Sequence, residues 1–145
     1  MIRHWGVSNL DMDDMIELAS IPGGDEVQTN QILYNLTRRG PEYALLPWLA
    51  QHGIPAMAYS PIEQGRLLEH PALQPIARRH NATPAQIAQA WVLQHDGVNP
   101  IPRAATPSHV RQNAAARDIE LTCNDLHDLD RAFPPPTRPR PLEVL

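Results

Sequence analysis

The chain has no lysine: all 12 of its basic residues are arginine. That rules out any lysine-dependent chemistry within this stretch. Its single cysteine, Cys123, excludes an internal disulfide and a cysteine-rich metal site. Cys123 lies in "LTCNDL" (121–126), which reads as a helix start, so it is expected to be structural. The histidines show no metal spacing such as HExxH, so no metal site is expected. No run is long and apolar enough to span a bilayer, and no charged-then-apolar signal opens the sequence. A cytoplasmic location is the default expectation, with no membrane partner. Formal net charge is -4 and the pI about 5.9. Phosphate backbones call for a basic surface, so a nucleic-acid partner is not expected. No glycine-rich GxGxxG follows any apolar run, which disfavours a dinucleotide unit of the Rossmann type.

What remains is the composition of a globular domain, 42% hydrophobic and 19% charged over 145 residues. Four short apolar runs read as strands: 2–8, 27–32, 55–60 and 98–102. They are bounded by turn residues and too continuously apolar to keep one wet face, as expected of parallel strands covered by helices. Helical patterns lie between them. Residues 11–20 carry acids in the first turn, where they complement the helix dipole. In 41–53, Pro41 opens a helix that Gly53 ends, and Pro47 predicts a kink or a two-part helix. Two further helical stretches occupy 71–81 and 83–97. Thr83, Pro84 and Gln86 together form a start signal of cap, first-turn proline and reciprocal partner. Residues 106–117 are capped by Thr106 or Ser108, and 122–133 by Thr122 with Asp125 as partner. The tail 134–145 is proline-rich and expected to be an irregular arm. Strand–helix alternation of this kind places the chain in the α/β class, with a parallel sheet and right-handed crossovers.

In parallel barrels, functional groups collect at the C-terminal ends of strands. The first strand ends in Ser8 and Asn9, the second carries Asn30 and Gln31, the third ends in Tyr59 and Ser60, and the fourth in Arg103. Each alone has an ordinary structural explanation. Together they offer amides and hydroxyls for a carboxamide, a ring for stacking, and a guanidinium for a phosphate.

The segments "GVSN" (6–9), "NQILYNL" (30–36), "AYSP" (58–61), "IPRAAT" (101–106) and "VRQN" (110–113) resemble, in order and spacing, the aldo-keto reductases. These are NADPH-dependent enzymes built on a (β/α)8 barrel, and the likeness is nearest to bacterial reductases of small aldehydes such as methylglyoxal. The resemblance implies that residues 1–133 form the C-terminal half of such a TIM barrel, strands five to eight with their helices. That half would be an open half-barrel, with 134–145 as its tail. It also implies a cofactor site. Ser8, Asn9 and Gln31 would bind the nicotinamide carboxamide, and Tyr59 would stack on the ring. The loop Ser60, Pro61, Ile62, Gly65 and Leu67 would pass the pyrophosphate. Arg103, where the family usually has lysine, would hold the 2′-phosphate of NADPH. Gln112 and Asn113 would meet the adenine. His109 stands where a second arginine is frequent, and Ala104 where a hydroxyl residue is. A strong preference for NADPH over NADH is therefore not expected.

The family's aspartate, tyrosine, lysine and histidine belong to the first four strands, and the matching segment begins at the fifth. Without lysine the tyrosine–lysine couple cannot be assembled from these residues, so no catalytic group is assigned. The expectation is a truncated reductase, from a split gene, a decayed gene or a late start codon, that binds NADPH weakly or conditionally. The alternatives are an NADP(H)-binding pseudoenzyme and one subunit of a two-chain reductase. A half-barrel has open edges, so the expected partners are the missing N-terminal half or a second copy.

Overall fold

The computed structural model describes residues 2–145. Four strands, β1 (Val7–Ser8), β2 (Asn30–Leu33), β3 (Ala56–Tyr59) and β4 (Val98–Ile101), form one parallel sheet in chain order. Between and after them run α1 (Met12–Ser20), α2 (Leu45–Gln51), α3 (Leu73–Arg79), α4 (Pro84–Leu93), α5 (Pro107–Ala115) and α6 (Cys123–Ala132). The α/β half-barrel expected from the sequence is the observed architecture.

The helices begin where their caps dictate. Asp11 and Asp14 bond each other's backbone N–H at 3.0 Å to open α1. Thr83 with Gln86, and Thr122 with Asp125, do the same for α4 and α6. Thr106, not Ser108, caps α5. The stretch 41–53 departs from the expected helix: Pro41 lies in a 3-10 turn over Gly40–Glu42, α2 starts only at Leu45, and the break therefore precedes Pro47 instead of falling at it. Pro47 then falls at the third position of α2, and Pro75 takes the same place in α3. First-turn N–H groups have no intrahelical acceptor, so neither proline costs a hydrogen bond.

Two strands sit differently from the apolar pattern. β1 is two residues long rather than seven, and β2 starts at Asn30 rather than Val27. Val27 instead closes the 3-10 turn Gly24–Glu26 and packs into the core. Gly6 allows the close approach of the first two strands, because a Cβ there would stand 2.6 Å from Thr29 Cγ2.

Strand register separates the two faces. Val7, Asn30, Ala56 and Val98 lie side by side, and Ile32 beside Ala58. This face meets the helices and builds the core with Met15, Leu49, Ile76, Ile87, Trp91 and Leu129. Of the three tryptophans, Trp91 is buried, while Trp5 and Trp48 pack half-exposed at the margin. Cys123 is exposed at the first position of α6, so it contributes no packing.

Polar ties fasten the periphery. Asp125, 1% exposed, caps α6 through Thr122 and also accepts from Arg79 at 2.6 Å and from His80 Nε2 at 2.8 Å. Burial alone would raise its pKa. The hydrogen bonds from Thr122, His80 and Arg79 outweigh it and hold the carboxyl well below the usual carboxylate range. A group with a depressed folded pKa contributes stability above its unfolded value, near pH ~4, and that contribution is lost as pH falls. Asp125→Ala is therefore expected to lower the unfolding free energy at neutral pH by about 2 kcal/mol. The difference from the parent should shrink below pH ~4, as followed by urea melts; a constant difference at all pH values would contradict this role.

Candidate functional site

The open face of the sheet carries the other half of the register. Ser8, Gln31, Met57 and Asn99 lie side by side, followed by Leu33, which is buried, Tyr59 and Ile101. Ser8 Oγ donates to the Gln31 carbonyl at 3.0 Å. The Asn9 N–H donates to that same carbonyl at 2.9 Å. Tyr59 reaches across β2 and donates its hydroxyl to Asn9 Oδ1 at 3.1 Å. The structure thus gathers Ser8, Asn9, Gln31 and Tyr59 into one polar cluster. Gln31 takes part through its backbone carbonyl, which leaves its half-exposed side-chain amide on the open face.

Beyond β3 the chain enters an unusual loop. Ser60, Glu63 and Gln64 all have left-handed backbones (φ 51, 48 and 55), as does Gly65 (φ 92). Each non-glycine residue so placed costs about 1 kcal/mol. A buried network offsets this. Asn35, fully buried, donates both amide hydrogens, to the Ser60 carbonyl at 2.9 Å and to Glu63 Oε2 at 2.8 Å. Its Oδ1 accepts from the Thr37 N–H at 2.9 Å and the Thr37 hydroxyl at 2.8 Å. Arg38 forks onto Glu63 Oε1 through Nη2 at 2.8 Å and Nε at 3.2 Å. Burial would push the Glu63 carboxyl up, but hydrogen bonds from Arg38 and Asn35 hold it below its ordinary range. Glu63 is a fixed anion that locks the loop.

Ser60, Pro61, Ile62 and Gln64 face Ile101, Pro102 and Arg103 across a cleft of about 430 Å³. Arg103 is exposed on its rim and forms no ion pair among the described residues. Gly65 adopts a conformation that glycine favours. Leu67 is 2% exposed and packs in the core, so only its backbone is available to a ligand. On α5, His109 and Gln112 are exposed. Asn113 is fixed by α4, its Oδ1 accepting from the buried Gln89 at 2.9 Å.

The three tyrosines stand in different settings. Tyr34 is buried, donates to Glu42 at 2.9 Å and meets His95 Nε2 at 3.0 Å. Burial and the Glu42 charge drive its pKa far up. Tyr43 is exposed, and Tyr59 is held by Asn9. No cluster of potential metal ligands occurs among the described residues, and no helix there is long and apolar enough to cross a membrane.

Comparison with known proteins places this geometry. Residues 1–133 match the aldo/keto reductase family. The chain belongs to that family. It is 50% identical to the methylglyoxal reductase YeaE of Escherichia coli K12, over 99% of this chain and 52% of YeaE. Against the glyoxal reductase of Bacillus subtilis the identity is 34%, over 89% of this chain and 45% of the relative. An aldo/keto reductase from Klebsiella pneumoniae, solved with NADP and acetate, superposes with a TM-score of 0.96 at 48% identity. It is covered over 99% of this chain and 53% of its own. The chain thus spans about half the length of these relatives.

Sequence reasoning missed Asn35, Arg38, Glu63 and Gln89 in this aldo/keto reductase segment. A signal existed for two of them: "NLT" (35–37) is a ready Asx turn, and Glu63 is a lone acid in the run "SPIEQG" (60–65). Replacing Glu63 by Gln removes the anion but keeps the shape. This variant is expected to lose about 1–3 kcal/mol of stability by urea unfolding and to become protease-sensitive within 60–65. Unchanged stability together with unchanged cleavage would contradict the locking role.

Proposed function

We propose that this chain supplies the cofactor-binding half of an NADPH-dependent reductase of small aldehydes. The observation that carries the reading is the joining of the Ser8–Asn9–Gln31–Tyr59 cluster, on the open face, to strand-end loops with an unpaired arginine. The residues suit the group. A free amide at Gln31 and polar atoms at Ser8 and Asn9 match a carboxamide, and Tyr59 offers a ring one pleat further along β3, where its hydroxyl meets Asn9. The Ser60–Ile62 backbone borders a cleft whose rim carries Arg103, a bidentate partner for a 2′-phosphate. Gln112 and Asn113 would meet the adenine. His109, which is not a fixed cation, adds little there, so NADH is retained as a weaker alternative.

NADPH, when bound, supplies the hydride that reduces a carbonyl carbon. This chain's residues would bind and orient the cofactor. None of them supplies the proton: Tyr34 is buried as a neutral phenol, and no lysine is present to acidify another tyrosine. On its own the chain is therefore expected to bind without turnover. The aldehyde-reducing activity named for YeaE and for the Bacillus glyoxal reductase would require a segment carrying the aspartate, tyrosine, lysine and histidine of the family.

Such a segment has a place to dock. β1 and β4 each have one neighbour in the sheet, so each presents one open edge. That favours a complementing half-barrel, in the cytoplasm, over a free-standing nucleotide sensor. In this reading residues 1–133 form the barrel unit and 134–145 its tail.

Fluorescence titration tests the site. Arg103→Ala is expected to weaken NADPH about tenfold and NADH little, since a charge-assisted pair to phosphate contributes about 1.5–3 kcal/mol. Equal losses for both nucleotides would refute the phosphate role.

A further inference from the structure

We propose that Arg38 is a positioning residue that couples the C-terminal tail to the loop holding the cofactor's pyrophosphate, with Glu143 as the tail's contact. The inference rests on the reading of 60–67 as that loop. One guanidinium joins three distant segments. Its Nη2 and Nε bind Glu63 in the loop, and its Nη1 binds Glu143 Oε1 at 2.8 Å. Arg38 itself follows β2 in the turn closed by the Arg38 N–H to Asn35 carbonyl bond at 2.9 Å.

The arrangement has a direction. Glu63 is buried and also held by Asn35, whereas Glu143 is about half exposed. The tail is thus the releasable partner. It is laid across the same end of the sheet, where Pro139, Arg140 and Leu142 line a cavity of about 130 Å³ with Asp11, Met12 and Gly40. When Glu143 is docked, both faces of the Arg38 fork are fixed, and the fork keeps Glu63 in its left-handed conformation. When the tail lifts, Arg38 gains rotational freedom, and the strained turn loses part of what holds it. A lysine cannot reproduce this, because only a planar guanidinium presents parallel N–H groups to one carboxylate and a further N–H to another.

Glu143→Ala, in the 145-residue chain, tests the coupling, because an exposed side chain can be removed without endangering the fold. Amide hydrogen exchange reads the loop directly. The Glu63 N–H bonds the Ser60 carbonyl, and the Gly65 N–H bonds that of Ile62, both at 2.9 Å. Exchange at Glu63 and Gly65 is expected to quicken about three- to fivefold, as fits loss of a half-exposed ion pair, while Ile32 in β2 stays unchanged. Arg38→Lys should behave in the same way and not rescue. An unchanged loop, or equal quickening in β2, would overturn the coupling whether or not NADPH binds. The second arm is NADPH dissociation by stopped flow. A matching three- to fivefold faster release from Glu143→Ala supports the link to the cofactor. A quickened loop with unaltered release overturns that link. Absence of any NADPH binding by the parent chain would instead refute the cofactor reading, leaving the exchange result to decide the coupling.

Discussion

The parallel register of four short strands is the constraint on which the rest depends. Because successive side chains point to opposite faces, the register that buries Ile32, Ala56, Ala58 and Val98 under the helices also aligns Ser8 with Gln31, and Leu33 with Tyr59. A slip of one residue would exchange the two sets. The apolar core is therefore what holds the polar cluster in place. Gly6 belongs to the same constraint, since only a residue without Cβ lets the first strand come so close to Thr29.

A second layer of control lies in the loops. The turn after β3 stores backbone strain at Ser60, Glu63 and Gln64, and the buried Asn35–Glu63–Arg38 network keeps it there. Such a loop can present backbone groups to a ligand without reorganising when it binds. The network needs its charge: Glu63 is buried yet ionised, because a guanidinium and an amide replace the water it has lost.

Much of this was legible in the residues, and the division is physical. Capping boxes are local, so Thr83–Gln86 and Thr122–Asp125 could be read directly and are found intact. Strand existence followed from the apolar runs, but strand ends did not. Val27 is as apolar as a strand residue, and only its tertiary neighbours make it the end of a turn. Cys123 looked structural because it sits within a helix start, yet the first helical position faces solvent. The strand-end residues were gathered by topology. The Asn35–Glu63 contact, in contrast, spans 28 positions and joins two loops, and no periodicity encodes such a meeting. Leu67 shows the converse: the side chain of a residue expected along the pyrophosphate loop is buried in the core.

The central claim is that the uncovered face of the sheet, not the helical side, receives a nicotinamide dinucleotide. The most direct measurement is residue-resolved: amide and side-chain NMR shifts of the 145-residue chain during addition of NADPH. The account predicts saturable shifts at Ser8, Asn9, Gln31, Tyr59 and Arg103, with Met15, Ile76 and Leu129 unmoved. Shifts confined to the helical layer, or none at millimolar nucleotide, would contradict it.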